Sequence, residues 1–264
     1  MIVRQQIGRT PQLNRAFWSF AIIGAARHPL IWSYDELLML PHRHVRAPIW
    51  CTSESMIAPS PANESTWTGV PLTLLLHNTA LTATAQFARI HSADGYVTVL
   101  PRAALDRAVI ATAKDDNPLS IADGFPARLI VPGTVGYKHA KWIERIELTD
   151  DPSGGVWESR GGQIDAPLHN AARVTRVSFK DDRFQIEGKL LWQGNRRPML
   201  TVMIDGIESG SLAVTALHRS YDGDLNRGTW HTVWQPPHRG KFTLHVWIDK
   251  VKAQSCPSTL LEAT

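Results

Sequence analysis

"GFPARLIVPGTVGYKHAKWIERIEL", residues 124–148, decides how this chain is read. An apolar run, Ala127 to Val131, predicts a buried strand, and a second strand is predicted in "AKWIERIELTD", residues 140–150. Between them lies a loop holding Gly133, Gly136, Lys138, His139 and Lys141. Glycines let backbone N–H groups approach an anion, and lysines supply charge. The loop is therefore a candidate phosphate-type site. The alternative is a basic β-connection whose glycines serve turns.

Working outward, the first half mixes strands and helices. "FWSFAIIG" (17–24) and "APIW" (47–50) read as buried strands. "SYDELLML" (33–40) reads as a helix with Ser33 as N-cap, Glu36 completing a capping box and Pro41 ending it. "VPLTLLLHN" (70–78) reads as a second helix with Pro71 in its first turn. "AQFARIHSA", "YVTVLP", "AVIATAK", "ARLIVPG" and "AKWIERIELTD" read as strands. The Gly- and Pro-rich stretch 151–167 reads as a connection between domains. Beyond about residue 172, short alternating strands with frequent turn signals suggest a β-sandwich of immunoglobulin-like size.

The chain has 264 residues, 43% hydrophobic and 20% charged, with a formal charge of +4. That is an ordinary globular profile for one large domain or two smaller ones. No basic run marks a nucleic-acid partner, and a mild positive bias suits an anionic small ligand. No apolar stretch approaches a membrane span. No leader is visible, so the expectation is cytoplasmic as written, or periplasmic if a leader was removed. P-loop, GxGxxG, GxSxG and HExxH patterns are absent. "HRHVR" (42–46) offers two histidines but no third ligand nearby, so a solvated basic loop is expected. Asp115-Asp116, Asp150-Asp151 and Asp181-Asp182 fall in expected turns. Cys51 and Cys256 make no disulfide framework. Cys51 lies where an apolar run turns polar, and its residue type alone leaves core thiol, disulfide half and ligand open.

The stretch 124–148 follows the pattern G-x-P-x-R-hydrophobic-P-G-x-x-G-x-K/R-x-x-K-W nearly throughout, and so resembles the sulfite oxidase family of molybdenum-cofactor enzymes. Ordered matches run from "IVRQQ" (2–6), through "WTGVPLTLLL" (67–76), to "IEGKLLWQGNRR" and "GTWHTVWQPPHRGKFTLHV". The resemblance implies an α+β chain. A sulfite-oxidase-type mixed α/β molybdopterin domain, residues 1–165, would precede an immunoglobulin-like β-sandwich domain, residues 166–264. It implies that Cys51 is the single thiolate ligand of the metal. It implies that Arg4, Gln5, Gln6, Asp123, Arg128, His139, Ala140 and Lys141 bind the molybdopterin. Arg128 and Lys141 would hold its anionic end, and Arg197 would line the substrate side.

The resemblance implies oxygen-atom transfer on a small substrate, a sulfur oxyanion being one candidate, with electrons leaving to an external carrier such as a cytochrome. It also implies a homodimer formed through the C-terminal domain. The sequence departs from sulfite oxidases at two substrate positions. Met56 stands where a pocket arginine is expected, and Gly162 where an active-site tyrosine is expected. Each lost charge-assisted contact weakens oxyanion binding by about 1.5–3 kcal/mol. A sulfite dehydrogenase with a rearranged pocket and a family-derived module without turnover are the alternatives.

Overall fold

In the computed structural model, the described residues are 6–49, 64–168, 170–193, 196, 198–205, 207–211, 213–219, 225–249, 251–252 and 259–263. The chain divides into two units, with a boundary between Pro167 and Leu168.

The first unit carries β1 (Ser19–Gly24), β2 (Leu30–Ser33), α1 (Tyr34–Met39), β3 (Arg43–Pro48), β4 (Glu64–Pro71) and α2 (Leu72–His77). It continues with β5 (Phe87–Ser92), β6 (Val97–Pro101), β7 (Val109–Lys114), β8 (Asn117–Pro118), β9 (Arg128–Ile130) and β10 (Ile143–Thr149). One sheet has the order β2-β1-β10-β5-β6, and among the described residues its one parallel pair joins β1 to β10. The other runs β3-β4-β7-β8, with β9 also paired to β7.

Period-two burial places side chains on both faces of the second sheet. Val70, Ile110 and Leu129 join the main core with Phe20, Ile22, Ile90 and Ile146. Val45, Ala47, Trp67, Val109, Ala111 and Ile130 form a separate cluster on the other face. The candidate cations described below stand beside this second cluster.

The helices are short. α1 has Ser33 as N-cap with a complete capping box, as its sequence predicts. α2 starts one residue after Pro71, which ends β4 and serves as N-cap. Each helix has six residues, and among the described residues the other helical segments are 3-10 turns at Arg102–Arg107, Gly136–Lys138 and Glu158–Arg160. No helix among the described residues is long and apolar enough to cross a membrane.

The second unit contains β11 (Ala171–Lys180), β12 (Arg183–Gln193), β13 (Leu200–Ile204), β14 (Ile207–Ser211), β15 (Ala213–Arg219), β16 (Leu225–Trp234), β17 (Gly240–Ile248), β18 (Val251–Lys252) and β19 (Thr259–Ala263). Its sheets run β11-β12-β16-β15 and β14-β13-β17-β18, with β19 also on β17. Phe184, Ile186 and Trp230 from one sheet share a core with Val202, Leu244 and Val246 from the other. Gly188 is dictated by this packing, because a Cβ there would lie 2.1 Å from the Trp230 ring.

The expected α+β class is therefore corrected. Nineteen strands and two one-to-two-turn helices make both units predominantly β among the described residues. The apolar runs that suggested helical layers are only six residues long and end in proline or a polar turn. Too few turns remain for a helical layer. The second unit is a two-sheet β structure, and an immunoglobulin-like identity for it is not established by this topology. The stretch 151–167 is likewise no free connection. Glu158 accepts hydrogen bonds from Thr98 Oγ1 at 2.7 Å and Val99 N at 3.1 Å, pinning the stretch to β6.

Candidate functional site

Arg128 opens β9 and is 2% exposed. Its guanidinium donates to the Asp123 carbonyl at 2.8 Å and the His139 carbonyl at 2.9 Å. One side chain thus ties the approach to β9 to the far end of the loop that follows it. Burial pushes its pKa down to about 9, against the opposing effect of Asp123. Gly124 makes room for this arrangement. Its φ is +113°, and a Cβ there would lie 3.1 Å from both the Arg128 and Lys141 Cβ atoms. The Gly-rich pattern thus places Arg128 and Lys141 against one glycine.

Lys141 is half-buried. Burial and then the Arg128 charge hold its pKa below the usual lysine range. Its ammonium stands 5.5 Å over the Trp142 ring and has no carboxylate in ion-pair range among the described residues. Asp123, whose charge would be unwelcome beside an anion, is already engaged. Lys114 donates to it at 3.0 Å and Ser120 Oγ at 2.7 Å. Burial raises its pKa, but Ser120 and Lys114 outweigh that and keep it below the ordinary carboxylate value.

His139 is fully buried with its ring turned into its own loop. Nδ1 accepts from Val131 N at 3.3 Å, which leaves the Nε2 proton for the Thr134 carbonyl at 3.2 Å. Burial first, and Arg128 second, push its pKa down to about 3, so the ring is neutral. Ala140 is buried, and its carbonyl accepts from Leu129 N at 2.8 Å.

Lys138 differs from the expectation that the loop lysines supply charge to an anion. It is fully buried and paired with Glu158, and it also donates to the Val99 carbonyl at 2.5 Å. Its charge is already spent inside the protein. The neighbouring Tyr137 reaches the same downstream stretch, donating to the Gln163 carbonyl at 2.8 Å. Its hydroxyl lies 3.2 Å from where a Cβ at Gly162 would stand.

Two contributors escaped the sequence reading. Trp67 and Lys114 share the sheet face that carries Arg128. The Arg128 guanidinium lies 4.7 Å, and the Lys114 ammonium 5.6 Å, from the Trp67 ring centroid. The register β3-β4-β7-β9 brings them together, which sequence spacing alone does not reveal.

Asp123, Arg128, His139, Ala140 and Lys141 are thus one cluster. Gln6 is not seen joining it, since its amide donates to the Gly8 carbonyl at 2.8 Å and Thr10 Oγ1 at 3.2 Å. Arg4, Gln5, Cys51 and Arg197 lie outside the described residues, as does Met56. His42 and His44 are exposed, with His44 on β3 rather than in a loop, and no metal-ligating group of three appears among the described residues.

The cluster fits an anionic group. Arg128, Lys114 and Lys141 gather around Asp123, and Asp94 also acts on Lys141, so three cations stand against two carboxylates at a partly desolvated place. An incoming phosphate would relieve the Arg128–Lys141 repulsion that depresses Lys141.

Comparison with known proteins bears on the same segment. The sequence pattern of the oxidoreductase molybdopterin-binding domain matches residues 7–157. An uncharacterized oxidoreductase of Bacillus subtilis is 26% identical over 147 residues, covering 54% of this chain and 71% of that one. The mitochondrial sulfite oxidase of Drosophila melanogaster is 46% identical over 150 residues, covering 48% of this chain but only 26% of its own length. The sulfane dehydrogenase SoxCD from Paracoccus pantotrophus shares the fold. Its TM-score is 0.62 at 20% identity, covering 90% of this chain and 68% of that one.

Proposed function

This chain belongs to the oxidoreductase molybdopterin-binding domain family, and from that premise we propose that it transfers an oxygen atom to or from a small sulfur oxyanion. It is a molybdopterin-dependent oxidoreductase. In our reading two electrons per turnover pass to a separate carrier such as a cytochrome. Cys51 ligates the metal, and Arg128 and Lys141 hold the anionic end of the cofactor. Arg4, Gln5, Gln6, Asp123, His139 and Ala140 complete the cofactor's surroundings, and Arg197 faces the substrate. Pairing of two chains through residues 166–264 belongs to the same proposal.

One observation carries the cofactor assignment. Lys141 is half-buried beside Arg128 at a glycine hinge, with no carboxylate of its own among the described residues. The names of the Drosophila and Paracoccus proteins, a sulfite oxidase and a sulfane dehydrogenase, support a sulfur substrate.

When bound, molybdopterin supplies a metal that exchanges an oxygen atom and two electrons with the substrate. The chain's own residues bind and orient. Arg128 fixes the loop by joining the Asp123 and His139 carbonyls, and neutral His139 keeps the loop closed without adding charge. Lys141 is left to meet the anion.

Sulfite itself is the second reading, as a dehydrogenase with a rearranged pocket. Tyr137 favours it, because its hydroxyl stands 3.2 Å from the Cβ position of Gly162, where sulfite oxidases are expected to carry a tyrosine. The test is to measure molybdenum per chain in the wild type and in Cys51→Ser, then the reduction of ferricyanide with sulfite and with other sulfur oxyanions. Near-stoichiometric metal lost in Cys51→Ser, with turnover of a sulfur oxyanion, is expected. Metal retention without Cys51 would refute the ligand assignment. Turnover of sulfite that Tyr137→Phe depresses would select the second reading.

A further inference from the structure

We infer that Trp67 is a positioning residue that sets the Arg128 guanidinium and couples it to the strand leading toward Cys51. This rests on the cofactor-site reading above and adds a residue to it.

Trp67 is 2% exposed, in the middle of β4. Its indole Nε1 donates to the Ala47 carbonyl on β3 at 3.1 Å. β3 ends at Pro48, three positions before Cys51. The ring carries Arg128 at 4.7 Å and Lys114 at 5.6 Å from its centroid. Both distances are within cation–π range.

Two cations beside one another repel. An aromatic face attracts both, so the ring holds Arg128 and Lys114 near each other without adding a carboxylate that would oppose an anion. Asp123 completes the circuit, with its carboxylate on Lys114 and its carbonyl on Arg128. From Arg128 the chain of contacts continues to the His139 carbonyl. One side chain therefore links the β3 backbone at Ala47 to the Arg128 guanidinium.

The indole N–H and the ring face are separable. Trp67→Phe keeps an aromatic face and loses the N–H. Trp67→Leu loses both, and Trp67→Met, whose unbranched thioether fills irregular space, is measured beside it. The probe is inorganic phosphate, titrated calorimetrically into the full-length chain purified from cells that cannot make the cofactor. Melting temperature is recorded for each variant.

Both Trp67→Phe and Trp67→Leu should melt lower, because both lose the Ala47 bond, and Trp67→Leu lower still, because it also loses the ring face. Phosphate affinity should fall about 10–30-fold in Trp67→Leu and Trp67→Met. That is about 1.4–2 kcal/mol at about 1.4 kcal/mol per tenfold, the size of a desolvated cation–π contact. Trp67→Phe should stay within about threefold of wild type, since the ring face remains. The inference is overturned if Arg128→Gln abolishes phosphate binding while Trp67→Leu and Trp67→Met leave it unchanged. It is also overturned if affinity falls equally in the Phe and Leu variants, whatever their melting temperatures. If Arg128→Gln itself leaves phosphate affinity unchanged, the underlying anion-site reading fails instead.

Discussion

Removing the Glu158 carboxylate should destabilise the first unit far more than removing the Lys138–Glu158 pair as a whole. Lys138 is fully buried and its pKa is held below the usual lysine range, burial outweighing the attraction of Glu158. For Lys138, then, desolvation outweighs the attraction of its partner. Stripping one partner from such a pair typically costs about 3–5 kcal/mol, because a buried charge is left alone. Replacing both partners with apolar groups is often neutral. Here the double variant still loses an acceptor, since Glu158 also receives Thr98 Oγ1 and Val99 N. A buried donor left without an acceptor costs about 1–3 kcal/mol. The acceptor is lost in both variants, so Lys138→Met with Glu158→Leu should lie about 1–3 kcal/mol below wild type, and Glu158→Ala about 3–5 kcal/mol below the double variant. At about 2–4 °C per kcal/mol, the single variant should melt roughly 6–20 °C lower than the double variant. Scanning calorimetry on the full chain, following the transition the variants move, reads this directly. A double variant no more stable than Glu158→Ala would show that the charge on Lys138 is not what makes the single loss severe.

Three further outcomes are expected. His139 has a folded pKa of about 3 against an unfolded value near 6.5, so the unfolded chain binds the extra proton first. Stability should then fall by up to about 1.4 kcal/mol per pH unit as pH drops below about 6.5 toward 3. Urea denaturation at a series of pH values should show a shallower slope in His139→Gln; an unchanged slope contradicts a neutral buried imidazole. Lys141→Gln removes one charge-assisted contact, and about 1.5–3 kcal/mol predicts roughly 10–150-fold weaker cofactor retention. Molybdenum per chain after prolonged dialysis measures it, and undiminished metal would remove Lys141 from the site. Gly124→Ala is strained by its φ of +113° and by atoms at 3.1–3.2 Å on Arg128 and Lys141. It should lower both melting temperature and metal content, and normal values for both would mean the hinge does not set the spacing of these cations.

What the sequence made legible follows from how local each signal is. The capping box at Ser33 and Glu36 is a three-residue relation, and it appears as expected. Strands β5, β6, β7 and β10 fall within the stretches whose alternation marks them. The cationic loop was legible because Gly124, Arg128 and Lys141 lie within one short segment and a glycine hinge suffices to bring them together. Charge availability was not. Lys138 and Lys141 are three residues apart and look equivalent in a linear string. Glu158, twenty positions downstream, neutralises the first and leaves the second. Trp67 was invisible for the same reason, since its contact with Arg128 exists only through strand pairing across β4, β7 and β9. The helix content was overread because six-residue apolar runs satisfy a helical period without supplying the turns a layer needs. In the proposed site, pairing register decides which cations remain for a ligand, so substitutions of Glu158 and Trp67 should change it as surely as substitutions of the lysines that the sequence displays.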